Sequence, residues 1–184
     1  MSMSPEDLRR TGGKPMKRII YDAATIQQRV GELGREITAA YPSGDLLLVG
    51  ILKGSVIFLS DLLRAIERPV QMDFLVVSSY GKGKTSSGNV RIGYDPTIDL
   101  AGKHVVLVED IIDSGRTLKH LVSLLGERRP ASLAIAALLD KRIAPEPPKE
   151  LRFVGFHAPE AFLVGYGLDY AEDYRHLPFI ADLE

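Results

Sequence analysis

The stretch from His104 to Leu118 constrains this chain more than any other. Val105 to Val108 is apolar without polar alternation, which is what a strand needs when both of its faces are covered, and such strands belong inside parallel sheets. The run ends in two adjacent carboxylates, Glu109 and Asp110, and passes a third at Asp113. A turn of small and polar residues follows, and from Leu118 through Leu121, Val122 and Leu125 the spacing is helical. Strand, acidic loop and helix in that order predict an α/β fold with a mostly parallel sheet.

In open α/β sheets, ligands bind beyond the carboxyl ends of the strands, where Glu109 and Asp110 must emerge. In Asp113, Ser114, Gly115, Arg116 and Thr117, glycine lets the backbone turn closely, and Ser and Thr offer hydroxyls. The following helix aims free backbone N–H groups into the same loop, which makes it a phosphate cradle. The upstream carboxylates would repel a bare phosphate. They suit hydroxyl groups, which donate hydrogen bonds to them, and a hard cation such as Mg²⁺, which takes oxygen ligands. A ligand with a phosphate at one end, vicinal hydroxyls in the middle and a magnesium-bound group beyond satisfies every part, and a phosphorylated ribose carrying pyrophosphate has that shape.

The segment from Val108 to Leu118 resembles the signature of the type I phosphoribosyltransferases, and its core from Glu109 to Asp113 resembles the hypoxanthine-guanine branch. The resemblance runs from Asp22 to the C-terminus, at separated places in the expected order. It implies a central, mostly parallel sheet flanked by helices, a small hood built from N- and C-terminal segments, and a mobile flap loop. It also implies transfer of phosphoribose from phosphoribosyl pyrophosphate to N9 of hypoxanthine or guanine, with Mg²⁺ as cofactor. Asp113 would then be the general base near the purine N7, Glu109 and Asp110 would hold the ribose hydroxyls, and residues 113–117 the 5′-phosphate. Glu109, Asp110 and Asp169 are the metal candidates.

Elsewhere the chain repeats the strand, turn and helix order. Residues 46–52 read as a buried strand, followed at once by Lys53 and Gly54 and then by helical spacing through Phe58, Leu59, Leu62, Leu63 and Ile66. Backbone N–H groups and one cation converge there, so a second anion fits. The resemblance assigns this loop to pyrophosphate and implies a cis peptide between Leu52 and Lys53. Residues 70–80 and 89–94 read as two further strands. Between them, Gly83, Lys84 and Thr85 mimic part of a nucleotide-triphosphatase loop, but Ser78 stands where that motif needs glycine and no helix follows. A flap over the site suits this small-residue loop better, and Ser79 and Tyr80 at its base resemble the family's mobile-loop pair.

Residues 132–139 form the next apolar run, ending at Asp140 and Lys141. In a parallel sheet Lys141 emerges at the same edge as Glu109, and an ammonium, which only donates, favours a purine with oxygen at the 6-position. After a proline-rich connection and a strand over 151–156, the segment from Phe162 to Tyr170 and the nearby Arg175 complete the resemblance. It implies that Phe162 stacks on the base, that Leu163 and the Asp169 region meet its hydrogen-bonding edge, and that Arg175 reaches pyrophosphate. Upstream, Asp22 is an N-cap candidate for a helix carrying Ile26, Val30, Leu33 and Ile37 on one face, which Pro42 ends.

With 184 residues, one domain over residues 16–184 is expected, behind a leader over 1–15 that lacks an apolar core segment and is expected to be disordered. The formal net charge of -1 offers no excess for nucleic-acid binding, and no stretch is apolar and long enough to span a bilayer. Cysteine is absent, which excludes disulfides and agrees with a cytoplasmic location. The four histidines lack a zinc-ligand spacing. The rival readings are a xanthine- or adenine-directed enzyme and a nucleotide-sensing or RNA-binding regulator on the same fold. Lys141 and the Phe162 region argue against adenine, and Asp113 argues for chemistry over sensing. The family resemblance further implies a homodimer or homotetramer.

Overall fold

The structure is a computed structural model that describes residues 5–14, 16–79, 90–113, 115–141 and 148–183. In chain order it runs α1 (Pro5–Arg10), β1 (Arg18–Tyr21), α2 (Ala23–Ala40), β2 (Leu46–Leu52), α3 (Val56–Ala65), β3 (Gln71–Ser79), β4 (Val90–Tyr94), β5 (His104–Ile112), α4 (Arg116–Gly126), β6 (Ser132–Asp140), β7 (Leu151–His157), β8 (Leu163–Val164) and β9 (Ile180–Asp182). Six strands form one sheet in the order β4-β3-β2-β5-β6-β7. All neighbours in it are parallel except β3 and β4. β1, β9 and β8 form a separate antiparallel sheet, the hood that joins the two ends of the chain.

The unbroken apolar runs explain the double cover. Successive residues of a strand point to opposite faces. Leu46, Leu48, Val106, Val108, Ala134 and Ala136 accordingly pack with α2 and α3 residues such as Val30, Leu33, Phe58 and Leu62. Their neighbours Leu47, Val49, Val105, Leu107, Ile135 and Ala137 pack with Leu118, Leu121 and Leu125 of α4 on the other face. Each fully buried aliphatic side chain contributes about 1.5–3 kcal/mol, so the alternation fixes register as well as stability. The Asp22 carboxylate caps α2 by accepting from the Thr25 N–H at 2.8 Å. Among the described residues no helix is long and apolar enough to cross a membrane.

Chain direction across the sheet reverses between β2 and β5. From β2 the chain crosses by α3 to β3 on one side, and from β5 it crosses by α4 to β6 on the other. The two connections diverge and leave a crevice at the carboxyl ends of β2 and β5, the place such sheets offer a ligand.

Two expectations need adjustment. β5 does not stop at its acids: it stays paired with β6 through Glu109 with Ala137, Ile111 with Leu139 and Ile112 with Asp140, because β6 is long enough to satisfy its backbone past the last β2 pair at Val108. The leader, expected to lack structure, contains α1, a buried Thr11, an ion pair between Lys14 and Asp173, and the Arg10 carbonyl 2.9 Å from His176 Nε2. These contacts tie it to the C-terminal segment.

Candidate active site

Glu109 and Asp110 are partly buried side by side at the β2–β5 crevice. Burial, and secondarily the charge of Asp110, pushes the Glu109 carboxyl well above the usual carboxylate range. Burial also raises Asp110, against a backbone hydrogen bond from the Ile111 N–H at 2.8 Å and the positive charge of Arg175. Among the described residues, Glu109 Oε2 is buried without a hydrogen-bond partner. An orphaned acceptor in a desolvated acidic pair is a place for a hydroxyl donor or a hard cation.

Gly54 faces this pair from the end of β2. A Cβ there would fall 1.6 Å from Asp110 Oδ2. On its other side the carbonyl of Gly54 lies where a Cβ on Gly167 would come within 2.1 Å. The loop after β2 is therefore pressed between the carboxylate of Asp110 and the hood, and only residues without side chains fit at both contacts. The peptide bond between Leu52 and Lys53 is cis.

Next to the acids, Glu109, Ile112, Asp113, Gly115, Thr117 and Leu118 line a cavity of about 150 Å³ at the N-terminus of α4, several times the roughly 30 Å³ share of a water molecule. Gly115 caps α4 in the left-handed region, φ 68°, a turn glycine makes readily, and the first backbone N–H groups of a helix have no intrahelical partner. Asp113 and Thr117 are exposed at its mouth. Ser114 lies outside the described residues, as do Tyr80 and the loop 81–89. Arg116 opens α4 and Ser79 ends β3.

Lys141 follows β6, and its ammonium donates to the Ala161 carbonyl at 2.8 Å. This ties the end of β6 to the residue before Phe162. Phe162 is 47% exposed, and its ring meets Tyr170 edge-on at 5.5 Å between centroids. Leu163 is buried in β8. Asp169 pairs with Arg175 at 2.8 Å and accepts from the Glu172 N–H at 3.0 Å. Arg175 also donates to the Gly167 carbonyl at 2.7 Å, so its guanidinium braces the hood turn.

Among the described residues, Lys53, Gly54, Glu109, Asp110, Asp113, Thr117 and Lys141 lie at or just past the carboxyl ends of β2, β5 and β6, and Phe162, Leu163, Asp169 and Arg175 lie between β7 and β9; the metal candidates need one correction. Glu109, Asp110 and Asp169 do not close a metal cage: among the described residues no three His, Cys, Asp or Glu side chains form one. Asp169 is committed to Arg175, though its charge still reaches Asp110. A magnesium ion would draw most of its ligands from substrate and water, its usual habit.

Sequence reasoning missed Tyr170, Glu172 and the contact between Gly54 and Gly167. Tyr170 lies inside the segment that carried the resemblance, and an aromatic eight residues from Phe162 was the available signal. It also missed a cavity of about 540 Å³ between α2, α3 and the hood, whose lining shares Arg175 with the candidate site. Beside it, the Tyr166 hydroxyl donates to Asp61 Oδ2 at 2.6 Å, and burial followed by this bond holds its pKa far above that of a free phenol.

A family model described as the phosphoribosyl transferase domain matches residues 18–171. The chain is 46% identical over 172 residues to the hypoxanthine-guanine phosphoribosyltransferase of Dictyostelium discoideum, covering 91% of this chain and 96% of the relative. It is 46% identical over 164 residues to the hypoxanthine phosphoribosyltransferase of Salmonella typhimurium, covering 88% and 92%. A crystal structure of a hypoxanthine phosphoribosyltransferase from Staphylococcus aureus superposes with a TM-score of 0.85 at 42% identity, covering 92% of each chain.

Proposed function

The chain belongs to the phosphoribosyl transferase family, and from that premise we propose that it salvages purines, moving phosphoribose from phosphoribosyl pyrophosphate to N9 of hypoxanthine or guanine. The products are IMP or GMP and pyrophosphate. The observation that carries this reading is the desolvated pair Glu109 and Asp110, with one acceptor that has no partner among the described residues, set between a helix N-terminus on one side and Lys53 and Gly54 on the other. A sugar phosphate with a second anion at C1 matches that order of groups.

The backbone at 114–117 and the hydroxyls of Ser114 and Thr117 bind the 5′-phosphate, with Arg116 in the same loop. Glu109 and Asp110 accept hydrogen bonds from the ribose hydroxyls. Lys53, the Gly54 backbone and Arg175 receive pyrophosphate. Phe162 stacks on the base, Leu163 and the Asp169 region meet its edge, and Lys141 donates to the 6-oxo group. Asp113, exposed at the cavity mouth, takes the proton as the base attacks. Mg²⁺, which suits the acidic pair, would neutralise charge on the departing pyrophosphate when bound. Positive charge develops on the ribose as that group leaves, so an enclosed site protects a centre that water would otherwise attack. A cytoplasmic homodimer or homotetramer is the expected form.

The test offers phosphoribosyl pyrophosphate and Mg²⁺ with hypoxanthine, guanine, xanthine or adenine in turn, and measures nucleotide and pyrophosphate. Product is expected from hypoxanthine or guanine and is lost on chelating the metal. No product from any base, with phosphoribosyl pyrophosphate still bound, would overturn the reading and leave a sensor.

A further inference from the structure

Lys53 and Arg175 come from opposite sides of the crevice, one from the loop after β2 and the other from the hood. Both point at a single atom. Glu172 Oε2 lies 3.2 Å from Lys53 Nζ and 3.5 Å from Arg175 Nη2. Among the described residues no other carboxylate is recorded in an ion pair with both. We propose that Glu172 is an internal competitor for pyrophosphate, its carboxylate pairing with the two cations that the phosphorylated substrate must engage. The inference rests on the assignment of those cations to pyrophosphate made above.

The backbone supports it. Glu172 sits at φ 65°, between Ala171 at 52° and Tyr174 at 72°, a cluster of left-handed residues none of which is glycine. That conformation is unfavourable for side-chain-bearing residues. Here it is held by the Glu172 N–H donating to Asp169 Oδ2, and it turns the carboxylate across the gap toward Lys53. Because Gly167 presses on the Gly54 carbonyl, hood and loop form one contact surface, and Glu172 closes it by charge.

The latch is weak by construction. The Lys53 and Glu172 side chains are 68% and 66% exposed, and exposed pairs are worth little. A singly charged carboxylate yields to a multiply charged pyrophosphate, but its presence lowers the net affinity and speeds departure of the product. Removing the charge while keeping the shape, Glu172→Gln, should tighten binding of inorganic pyrophosphate with Mg²⁺ about two- to fivefold. IMP, which lacks that group, should bind as before.

Calorimetry on the full chain reads this out. The expected result is a tighter pyrophosphate dissociation constant in Glu172→Gln, a gain that shrinks when Lys53→Met is already present, since only the pairing with Arg175 then remains to be removed. Glu172→Asp, which keeps the charge but shortens the reach, should tighten binding in the same direction, and it carries the test if the Gln variant does not fold. A structural role alone predicts weaker binding, not tighter. Unchanged or weaker pyrophosphate binding in a folded variant overturns the proposal and leaves the proposed function standing. Failure of the unaltered protein to bind either pyrophosphate or phosphoribosyl pyrophosphate overturns both.

Discussion

Replacing Gly54 with alanine isolates the contact between the loop after β2 and the acidic pair. The new Cβ would meet Asp110 Oδ2 at 1.6 Å, Asp110 Cγ at 2.5 Å and Asp110 Oδ1 at 3.2 Å. Gly54 is not among the glycines at positive φ, so the backbone itself accepts alanine and the cost is steric. The carboxylate is hemmed in, since Oδ1 accepts from the Ile111 N–H at 2.8 Å. Either the loop lifts or the carboxylate turns, and in each case the acceptor proposed for the ribose is displaced. A hydrogen bond to a charged group is worth about 1.5–3 kcal/mol, which corresponds to a loss of roughly ten- to a hundredfold in kcat/KM for phosphoribosyl pyrophosphate. Steady-state IMP formation at varied phosphoribosyl pyrophosphate measures it, with thermal melts to verify folding. Gly126→Ala is the matched control, because nothing lies within 4 Å of its Cβ position. Wild-type kcat/KM in Gly54→Ala would refute the reasoning.

Two further substitutions probe the acids and the base pocket. Burial raises the Glu109 carboxyl above its ordinary 4.5, so between that value and its folded value the native state holds the proton more tightly, and stability falls as pH rises through the window. Glu109→Gln, uncharged throughout, should therefore melt higher than the unaltered protein by a margin that grows above about pH 4.5 and vanishes below it, while activity falls; a pH-independent margin would contradict this. Lys141 spends one donor on Ala161 and has others for the base, so Lys141→Ala should lose roughly ten- to a hundredfold of its preference for 6-oxo over 6-amino purines; competition between hypoxanthine and adenine measures it, and unchanged preference removes the contact.

Much of this arrangement was legible in the chain because burial leaves a compositional trace. The runs at 46–52, 104–108 and 132–139 lack polar alternation since both sheet faces are covered, and the helical faces of α2 and α4 show their period. The candidate residues follow from where the apolar runs stop, so Lys53, Glu109, Asp110 and Lys141 were picked out by position, although β5 itself continues past its acids to Ile112. The hood left no such trace. β8 is two residues and β9 three, too short for any period to register. The left-handed backbone at Ala171, Glu172 and Tyr174 carries no glycine to announce it, so the reach of Glu172 toward Lys53 became visible only in three dimensions. Phe162 illustrates the opposite limit: a large aromatic is usually buried, and its 47% exposure is visible only in the folded chain.

The most direct measurement is a single-turnover reaction with enzyme in excess over phosphoribosyl pyrophosphate, hypoxanthine and Mg²⁺ present, run on the unaltered protein and on Asp113→Asn. The expected result is one pyrophosphate for each IMP, with the chemical step slowed about 10²–10⁴-fold in the variant while its affinity for phosphoribosyl pyrophosphate changes far less. Pyrophosphate without IMP would mean hydrolysis instead of transfer. Equal rates in the two proteins would remove Asp113 from the chemistry.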